Sequence, residues 1–241
     1  IAAGELPFAK PQRPQGVERN IVVSMWDWSR PYVYIHDEIG TDKRNPRVNA
    51  NGPIYGSPEE SSDFVPVLDP VKNEKSQIKA LVRDADTPSS KDNDIPNPSA
   101  YWGREAIWDS QTTIHNPMFD QKGRVWFTTR VRAPEKEAAF CKAGSSHPSA
   151  KQFPLDRSGR QLAVYDPQTK KFTPIDTCYA THHLQFDAND RLWTSGGGPA
   201  LGWFDMRIWD ATHDEQKAQG WTALVVDTNG NGKRDAYTEP G

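Results

Sequence analysis

The sequence predicts an all-β fold of repeated four-stranded antiparallel sheets, and three observations support this. One pattern occurs three times without gaps, at residues 44–55, 115–126 and 182–193. Each copy reads as a β-hairpin, in which a strand ends at Asn or Asp, a turn follows, and a second strand carries an aromatic residue. The composition, with 20 Pro, 17 Gly, 9 Trp and 35% hydrophobic residues in 241, is typical of a loop-rich β protein. An internal repeat of this kind indicates a repeat architecture.

Further strands follow the hairpin in the first and second repeats. Residues 65–70 and 162–167 each read as a strand that ends at Asp-Pro, and residues 171–175 read as the strand after it. Four strands are the content of one β-propeller blade. We therefore expect a β-propeller domain or partial propeller with long loop insertions over residues 20–241, with repeats centred near 44–82, 115–177 and 182–226, preceded by an extended segment at 1–19.

The third repeat has strand candidates at residues 201–205 and 221–226. Between them, the charged segment 210–219 is predicted to form a surface helix that ends at Gly220. Closed propellers have four to eight blades, so three repeats leave the number of blades open. Either strands near residues 20–39 and 221–226 help to form further blades, or the chain is a piece of a larger propeller. Because the chain begins without Met and ends just after a motif, we favour the second interpretation.

The blade pattern resembles that of streptogramin lyase-like and NHL-like β-propellers. The resemblance rests on residues 119–129, which read Asp-x-x-Gly-x-Val-Trp-Phe-Thr from Asp120, and on the Tyr-Asp-Pro of residues 165–167. Residues 181–198 and 220–224 also resemble large secreted bacterial propeller proteins of uncharacterised function, often described with a carboxypeptidase-regulatory-like domain. The lyase-like resemblance implies an enzyme that uses a metal with channel-facing His and Glu residues. This sequence matches the blade pattern of these enzymes, but it does not match their set of catalytic His and Glu residues.

Three histidines are the candidate catalytic residues. In the ungapped alignment His115 and His182 occupy one position, Arg44 occupies it in the first copy, and His183 follows His182. Because the innermost strands of a propeller surround its channel, we expect these four residues to face one another at the channel mouth. Histidines placed there can ligate a divalent metal or act as acid and base near neutral pH. The alternative is that they are ordinary hydrogen-bonding residues at strand starts.

Residues 227–239 carry the sharpest chemical motif, a predicted Ca²⁺ loop. Oxygen-bearing side chains stand at positions 1, 3, 5 and 9, and Gly232 at position 6 allows a sharp turn. Position 12 is Thr238 and the acid is displaced to the next residue, which is more typical of extracellular calcium modules than of a helix-flanked sensor. The alternative is a bare Asn-Gly turn. The predicted ligands are Asp227, Asn229, Asn231, the backbone carbonyl of Lys233, Asp235 and Glu239.

Of the two cysteines, Cys141 lies in the long insertion at residues 130–160 and Cys178 lies just before the first strand of the third repeat. Because the chain lacks a Cys-x-x-Cys motif and resembles secreted proteins, we expect them to form a disulfide in an oxidising compartment, secreted or periplasmic. Free buried thiols are the alternative. A net charge of −3 and a pI near 6.1 argue against a nucleic-acid partner. No apolar run approaches the roughly 20 residues of a membrane span.

Two functions from different classes fit these features. The one that we favour from the sequence is a secreted or periplasmic, calcium-stabilised propeller that acts as a binding or structural module, with a protein, glycan or small molecule at the channel mouth. The alternative is a metal-dependent lyase or hydrolase of the streptogramin lyase type, in which His115, His182 and His183 hold a second divalent metal. Fold alone does not choose between them. The calcium motif is the more specific signal, and it favours the first.

Overall fold

The computed structural model describes residues 28, 33–92, 103–196, 200–223, 227 and 229–233. These residues form twelve strands in three four-stranded antiparallel sheets, with two short helices. The predicted extended segment at 1–19 lies outside the described residues.

Within each sheet the strands follow chain order, so every pair of neighbours is consecutive in sequence. The first sheet contains β1 (Asp37–Ile39), β2 (Ile54–Ser57), β3 (Phe64–Asp69) and β4 (Glu74–Lys79). The second contains β5 (Pro117–Phe119), β6 (Val125–Arg130), β7 (Arg160–Asp166) and β8 (Lys171–Ile175). The third contains β9 (His183–Phe186), β10 (Arg191–Ser195), β11 (Ala200–Asp205) and β12 (Gln219–Ala223). Helix α1 (Pro148–Gln152) lies between β6 and β7, and α2 (Met206–Thr212) between β11 and β12.

The predicted β-propeller is wrong. Each repeat contains a four-stranded antiparallel sheet, but in the described part of the chain the three sheets are separate and none is closed. Among the described residues each strand ladder lies within a single repeat. The sheets meet through their first strands, since β1 contacts β5 and β5 contacts β9.

Two hydrophobic cores hold neighbouring sheets together, and β6 contributes to both. Val125 and Phe127 pack in the core between the first and second sheets, while Trp126 packs in the core between the second and third. Successive side chains of a strand point to opposite faces of its sheet, which explains the alternation. The unbroken apolar run Val-Trp-Phe is therefore the sequence of a strand that is buried on both faces.

An aspartate shapes the first hairpin of both the second and the third sheet. Asp120 Oδ1 accepts the N–H groups of Lys122 and Arg124 at 2.9 and 3.0 Å, and its Oδ2 accepts Trp126 Nε1 at 2.9 Å. Asp187 in the third sheet likewise accepts Trp193 Nε1 at 2.9 Å. The same Asp–Trp hydrogen bond thus stabilises the equivalent turn in the second and third sheets.

The first sheet departs from this pattern because its first turn is much longer. Strand β1 ends at Ile39 and β2 begins at Ile54, whereas β5 ends at Phe119 and β6 begins at Val125. Residues 44–53 are therefore turn in the first repeat. The ungapped alignment that placed Arg44 at the position of His115 is wrong, since it takes this turn for a strand.

Helix α2 begins at Met206, not at Asp210 as the charge pattern predicts. Asp205, the last residue of β11, caps it by accepting the N–H of Arg207 at 3.0 Å. The helix ends at Thr212, and His213 adopts the left-handed conformation with φ of 50°. In the part of the chain that the structure describes, no helix has the length and hydrophobicity needed to cross a lipid bilayer.

Candidate metal centre

The structure brings together the three histidines that the sequence singles out. His183 is the first residue of β9, His182 precedes it, and His115 lies just before β5. The ring centroid of His115 lies 4.3 Å from that of His182 and 5.2 Å from that of His183, and the last two are 4.1 Å apart. Thr128 of β6 ties the two strand starts together, since it accepts the N–H of His115 at 3.0 Å and its hydroxyl donates to the carbonyl of His182 at 2.9 Å.

Arg44, expected beside these histidines, lies elsewhere. Its guanidinium contacts Asp42 and Asp190 and donates to the carbonyl of Asp187 at 2.7 Å. Arg44 thus ties the long turn of the first sheet to the first turn of the third. The expected channel mouth is likewise not formed in the described residues, because the sheets do not close.

His36 and Glu59 join the three histidines, and the sequence reasoning missed both. The His36 ring centroid lies 4.1 Å from that of His115, and Glu59 Oε1 lies 2.7 Å from His115 Nδ1. His36 stands three residues before the last residue of β1, as His183 does in β9. The signal for His36 was therefore present, but only an alignment that allows for the long first turn reveals it. Glu59 follows β2 in the chain and carries no motif of its own.

We call these five residues the histidine cluster: His36, Glu59, His115, His182 and His183.

Glu59 sets the position of the proton on His115. An ionised carboxylate only accepts, so the 2.7 Å bond requires the N–H of His115 to be on Nδ1. The lone pair is then on Nε2, which is buried and has no hydrogen-bond partner within the described structure, in a residue that is 5% exposed. A buried polar atom without a partner costs free energy. The His115 Nε2 lone pair is therefore free to bind a ligand.

The pKa shifts of His115 and His182 favour metal binding. Burial lowers the pKa of His115, and Arg160 and His36 add to this, so the bond from Glu59 does not restore the usual value. Burial also lowers the pKa of His182, with contributions from His183 and Arg160. Neutral imidazole is the form that metals bind, and a lowered pKa favours that form at neutral pH.

Two overlapping sets of three side chains have the spacing to hold a metal ion. Ligand atoms of His115, His182 and His183 all lie within 4.8 Å of one another, and so do those of His36, Glu59 and His115. Three histidines are one of the ligand sets of catalytic zinc, where the fourth position stays open. A carboxylate on the far nitrogen of a ligating histidine is the usual second partner at such sites. Because His182 and His183 are exposed, solvent reaches the first set.

The predicted calcium loop is only partly described. Asp227 Oδ1 and Oδ2 accept the N–H groups of Asn231 and Gly232 at 3.0 and 2.8 Å, and Asn231 Oδ1 accepts that of Lys233 at 2.8 Å. Gly232 has φ of 77°, as the sharp turn requires. The predicted ligand Asn229 is described, whereas Asp235 and Glu239 lie outside the described residues. The described part is a turn closed by its own side chains.

The predicted disulfide between Cys141 and Cys178 is present, with the Cα atoms 5.0 Å apart. Ala138 packs with the two cysteines in a small core beneath the insertion between β6 and β7. The N–H of Cys178 donates to Gln219 Oε1 at 2.8 Å. The bridge thus ties this insertion to the start of the third repeat.

The chain matches no protein-family model and no curated protein. It is similar to a solved structure of PorZ, described as an essential bacterial surface component of the type-IX secretion system of human oral-microbiomic Porphyromonas gingivalis, with a TM-score of 0.27 and 12% identity. The match covers 73% of this chain and 26% of the PorZ chain, so this chain spans about a quarter of that length. A similarity of this size carries no conclusion about fold or function, and the comparisons do not support the resemblance to streptogramin lyase-like or NHL-like propellers.

Proposed function

We propose that the protein binds a divalent transition metal in the histidine cluster and uses it in metal-assisted lyase or hydrolase chemistry. The observation that carries this proposal is that His115, whose buried Nε2 atom has no hydrogen-bond partner among the described residues, belongs to a set of three histidines with metal-ligand spacing.

The donor set selects the class of metal. Imidazole nitrogen suits Zn²⁺, Cu²⁺, Fe²⁺ and Ni²⁺, whereas Ca²⁺ and Mg²⁺ take oxygen ligands. His115, His182 and His183 offer nitrogen only, and Glu59 is already bonded to His115 Nδ1. Zinc is therefore the ion to test first.

Each residue of the cluster then has a separate task. Glu59 fixes the tautomer and the ring orientation of His115. His182 and His183 present ligand nitrogens at an exposed edge, where a substrate can approach. His36 is exposed beside His115 and is of the residue type that transfers protons near neutral pH. A bound divalent metal would polarise a substrate oxygen or lower the pKa of a water molecule.

Elemental analysis of the purified protein tests the proposal. We expect about one equivalent of transition metal in the parent after incubation with Zn²⁺ and dialysis, and its loss in a His182→Ala/His183→Ala variant. The matched control is His213→Asn, which removes a histidine outside the cluster and keeps a residue type that tolerates the left-handed conformation found there. Zinc that stays with the double variant, or a parent without zinc, contradicts the proposal.

A second candidate is the calcium-stabilised binding or structural module, and the loop at Asp227 favours it. The Asp227 side chain accepts backbone N–H groups of the loop and so stabilises its turn. The Asn side chains of the loop offer the oxygen ligands that Ca²⁺ takes. If this loop binds calcium, Ca²⁺ raises the melting temperature of the parent and not that of an Asp227→Ala variant. An equal response of both proteins removes this candidate.

We also propose that the protein is secreted or periplasmic. The disulfide supports this location, because disulfides persist in oxidising compartments. Cell fractionation with an antibody to the protein tests the proposal, and recovery in the cytoplasmic fraction with reduced thiols contradicts it.

A further inference from the structure

One arginine beside the histidine cluster differs from other arginines that the structure buries. Arg160 is the first residue of β7, and its carbonyl accepts the N–H of Thr181, the residue before His182, at 2.8 Å. Its Nη2 lies 3.7 Å from Glu59 Oε1, the same oxygen that bonds His115 Nδ1. The guanidinium therefore stands at the edge of the cluster.

Within the described residues, no acceptor makes a hydrogen bond with the Arg160 guanidinium. Its contacts to Glu59 and Glu60, at 3.7 and 4.0 Å, are ion-pair distances beyond hydrogen-bonding range. Among the described residues its side chain, 21% exposed, donates no hydrogen bond, although a guanidinium carries five N–H donors. Glu60 is itself engaged, since its Oε2 accepts the hydroxyl of Ser90 at 2.6 Å.

Other arginines in the same protein show what full pairing looks like. Four partly buried guanidinium groups each contact two carboxylates: those of Arg44, Arg83, Arg124 and Arg132. Their carboxylates outweigh the effect of burial, and the pKa of each is raised. Burial lowers the pKa of Arg160, and Glu59 and Glu60 do not offset it. Arg160 also has two carboxylates beside it, but neither lies within hydrogen-bonding range of its guanidinium.

A second positive charge, that of Arg130, lies opposite Arg160 on the neighbouring strand. Arg130 and Arg160 are direct cross-strand partners in β6 and β7. Arg130 donates through Nη1 to a neutral group, the carbonyl of Pro88, at 2.9 Å. Like charges placed directly opposite one another destabilise a sheet unless a counter-charge compensates them. The edge of the cluster thus holds two arginines and the carboxylates of Glu59 and Glu60, and among the described residues neither carboxylate accepts a hydrogen bond from Arg160.

We propose that Arg160 binds an oxyanion group, a carboxylate or a phosphate, of the ligand that occupies the histidine cluster. The planar guanidinium fork matches two oxygens of such a group. An anion there supplies the hydrogen-bond acceptors that Glu59 and Glu60, at 3.7 and 4.0 Å, do not provide to Arg160. This proposal names the class of substrate that the metal centre takes, so it rests on the proposed function. The binding of an anion to Arg160 can be measured independently of metal binding.

Isothermal titration of inorganic phosphate and of acetate into the metal-free and the zinc-loaded protein tests the proposal. We expect phosphate or acetate to bind, and Arg160→Gln to weaken that binding at least tenfold while zinc content stays unchanged. The stronger of the two anions identifies the oxyanion. Arg157→Gln is the control, because it removes the same charge from an exposed position three residues away.

A second variant protects the test against a folding defect. Arg160→Lys keeps the positive charge but not the fork, and we expect it to weaken anion binding at least threefold with an unchanged melting temperature. The proposal is overturned if the parent binds neither anion, if Arg160→Gln or Arg160→Lys binds as tightly as the parent, or if Arg157→Gln weakens binding equally. A protein that takes up no zinc but binds the anion through Arg160 refutes the proposed function and leaves this inference standing.

Discussion

Replacing Glu59 with Gln tests the contribution of the Glu59 carboxylate to metal binding while His115 itself stays in place. The Glu59 carboxylate accepts the Nδ1–H of His115 at 2.7 Å, and a Gln amide oxygen can accept the same bond without the charge. The fold and the three histidines are therefore retained. What is lost is the charge that increases the basicity of the ligating nitrogen.

The size of the effect follows from that loss. Removing the outer partner of a metal-bound histidine weakens metal affinity by about 10- to 100-fold, which is about 1.4 to 2.8 kcal/mol. Proton competition does not account for it, because Glu59 raises the pKa of His115 and the substitution lowers it further. Protons then compete less with the metal, and a weaker affinity reports the weaker ligand.

Competition with a zinc-binding dye at pH 7 measures this affinity. Glu60→Gln is the matched control: it removes the neighbouring carboxylate, which contacts Arg160 and Ser90. We expect Glu59→Gln to lose affinity and Glu60→Gln to stay within about twofold of the parent. Unchanged affinity in Glu59→Gln, or an equal loss in both variants, would refute the orientation that we assign to Glu59.

Three predictions concern stability. Replacing both Cys141 and Cys178 with Ala should lower the free energy of unfolding by about 4 kcal/mol in the chain-entropy model for their separation of 37 residues, measured by urea unfolding; an unchanged value would show that the bridge is dispensable. Burial raises the pKa of Asp63, but bonds from Thr112 and Lys79 outweigh it and hold that pKa below its usual value, so this stabilisation is present at neutral pH and is lost as the pH falls through the lowered pKa. Asp63→Asn should therefore destabilise the protein by about 2 kcal/mol at pH 7 and by less at pH 2, and a loss independent of pH would contradict this. A Cβ on Gly202 would clash with the ring of Tyr179, so Gly202→Ala should cost about 1 to 3 kcal/mol, whereas Gly159→Ala, whose Cβ would lie 3.6 Å from that of Ala180, should show no such clash.

Part of the fold could be predicted from local sequence. The turn aspartate and the Trp bonded to it occur at the same spacing in the second and third repeats, so the alignment of those two repeats gave the correct hairpins. The third and fourth strands followed from the Asp-Pro ends of residues 65–70 and 162–167. The arrangement of the sheets could not be predicted in this way, because a repeat pattern specifies the content of each sheet and not whether the sheets close into a ring.

The site shows the same limit. His115, His182 and His183 were found because they lie at the starts of β5 and β9, and the turns that follow these two strands have nearly the same length. His36 was missed because the turn after β1 extends from Gly40 to Pro53, and the ungapped alignment put Asn45 at the position that His36 shares with His183. Glu59 and Arg160 belong to the site only through tertiary contacts, so no local pattern marks them.

Zinc K-edge X-ray absorption on the zinc-loaded protein tests the metal centre most directly. We predict a shell of about three imidazole nitrogens at about 2.0–2.1 Å, reduced in a His115→Ala variant and unchanged in His213→Asn. A spectrum with oxygen ligands only, or one that His115→Ala leaves unaltered, would contradict the assignment of the histidine cluster as a metal site.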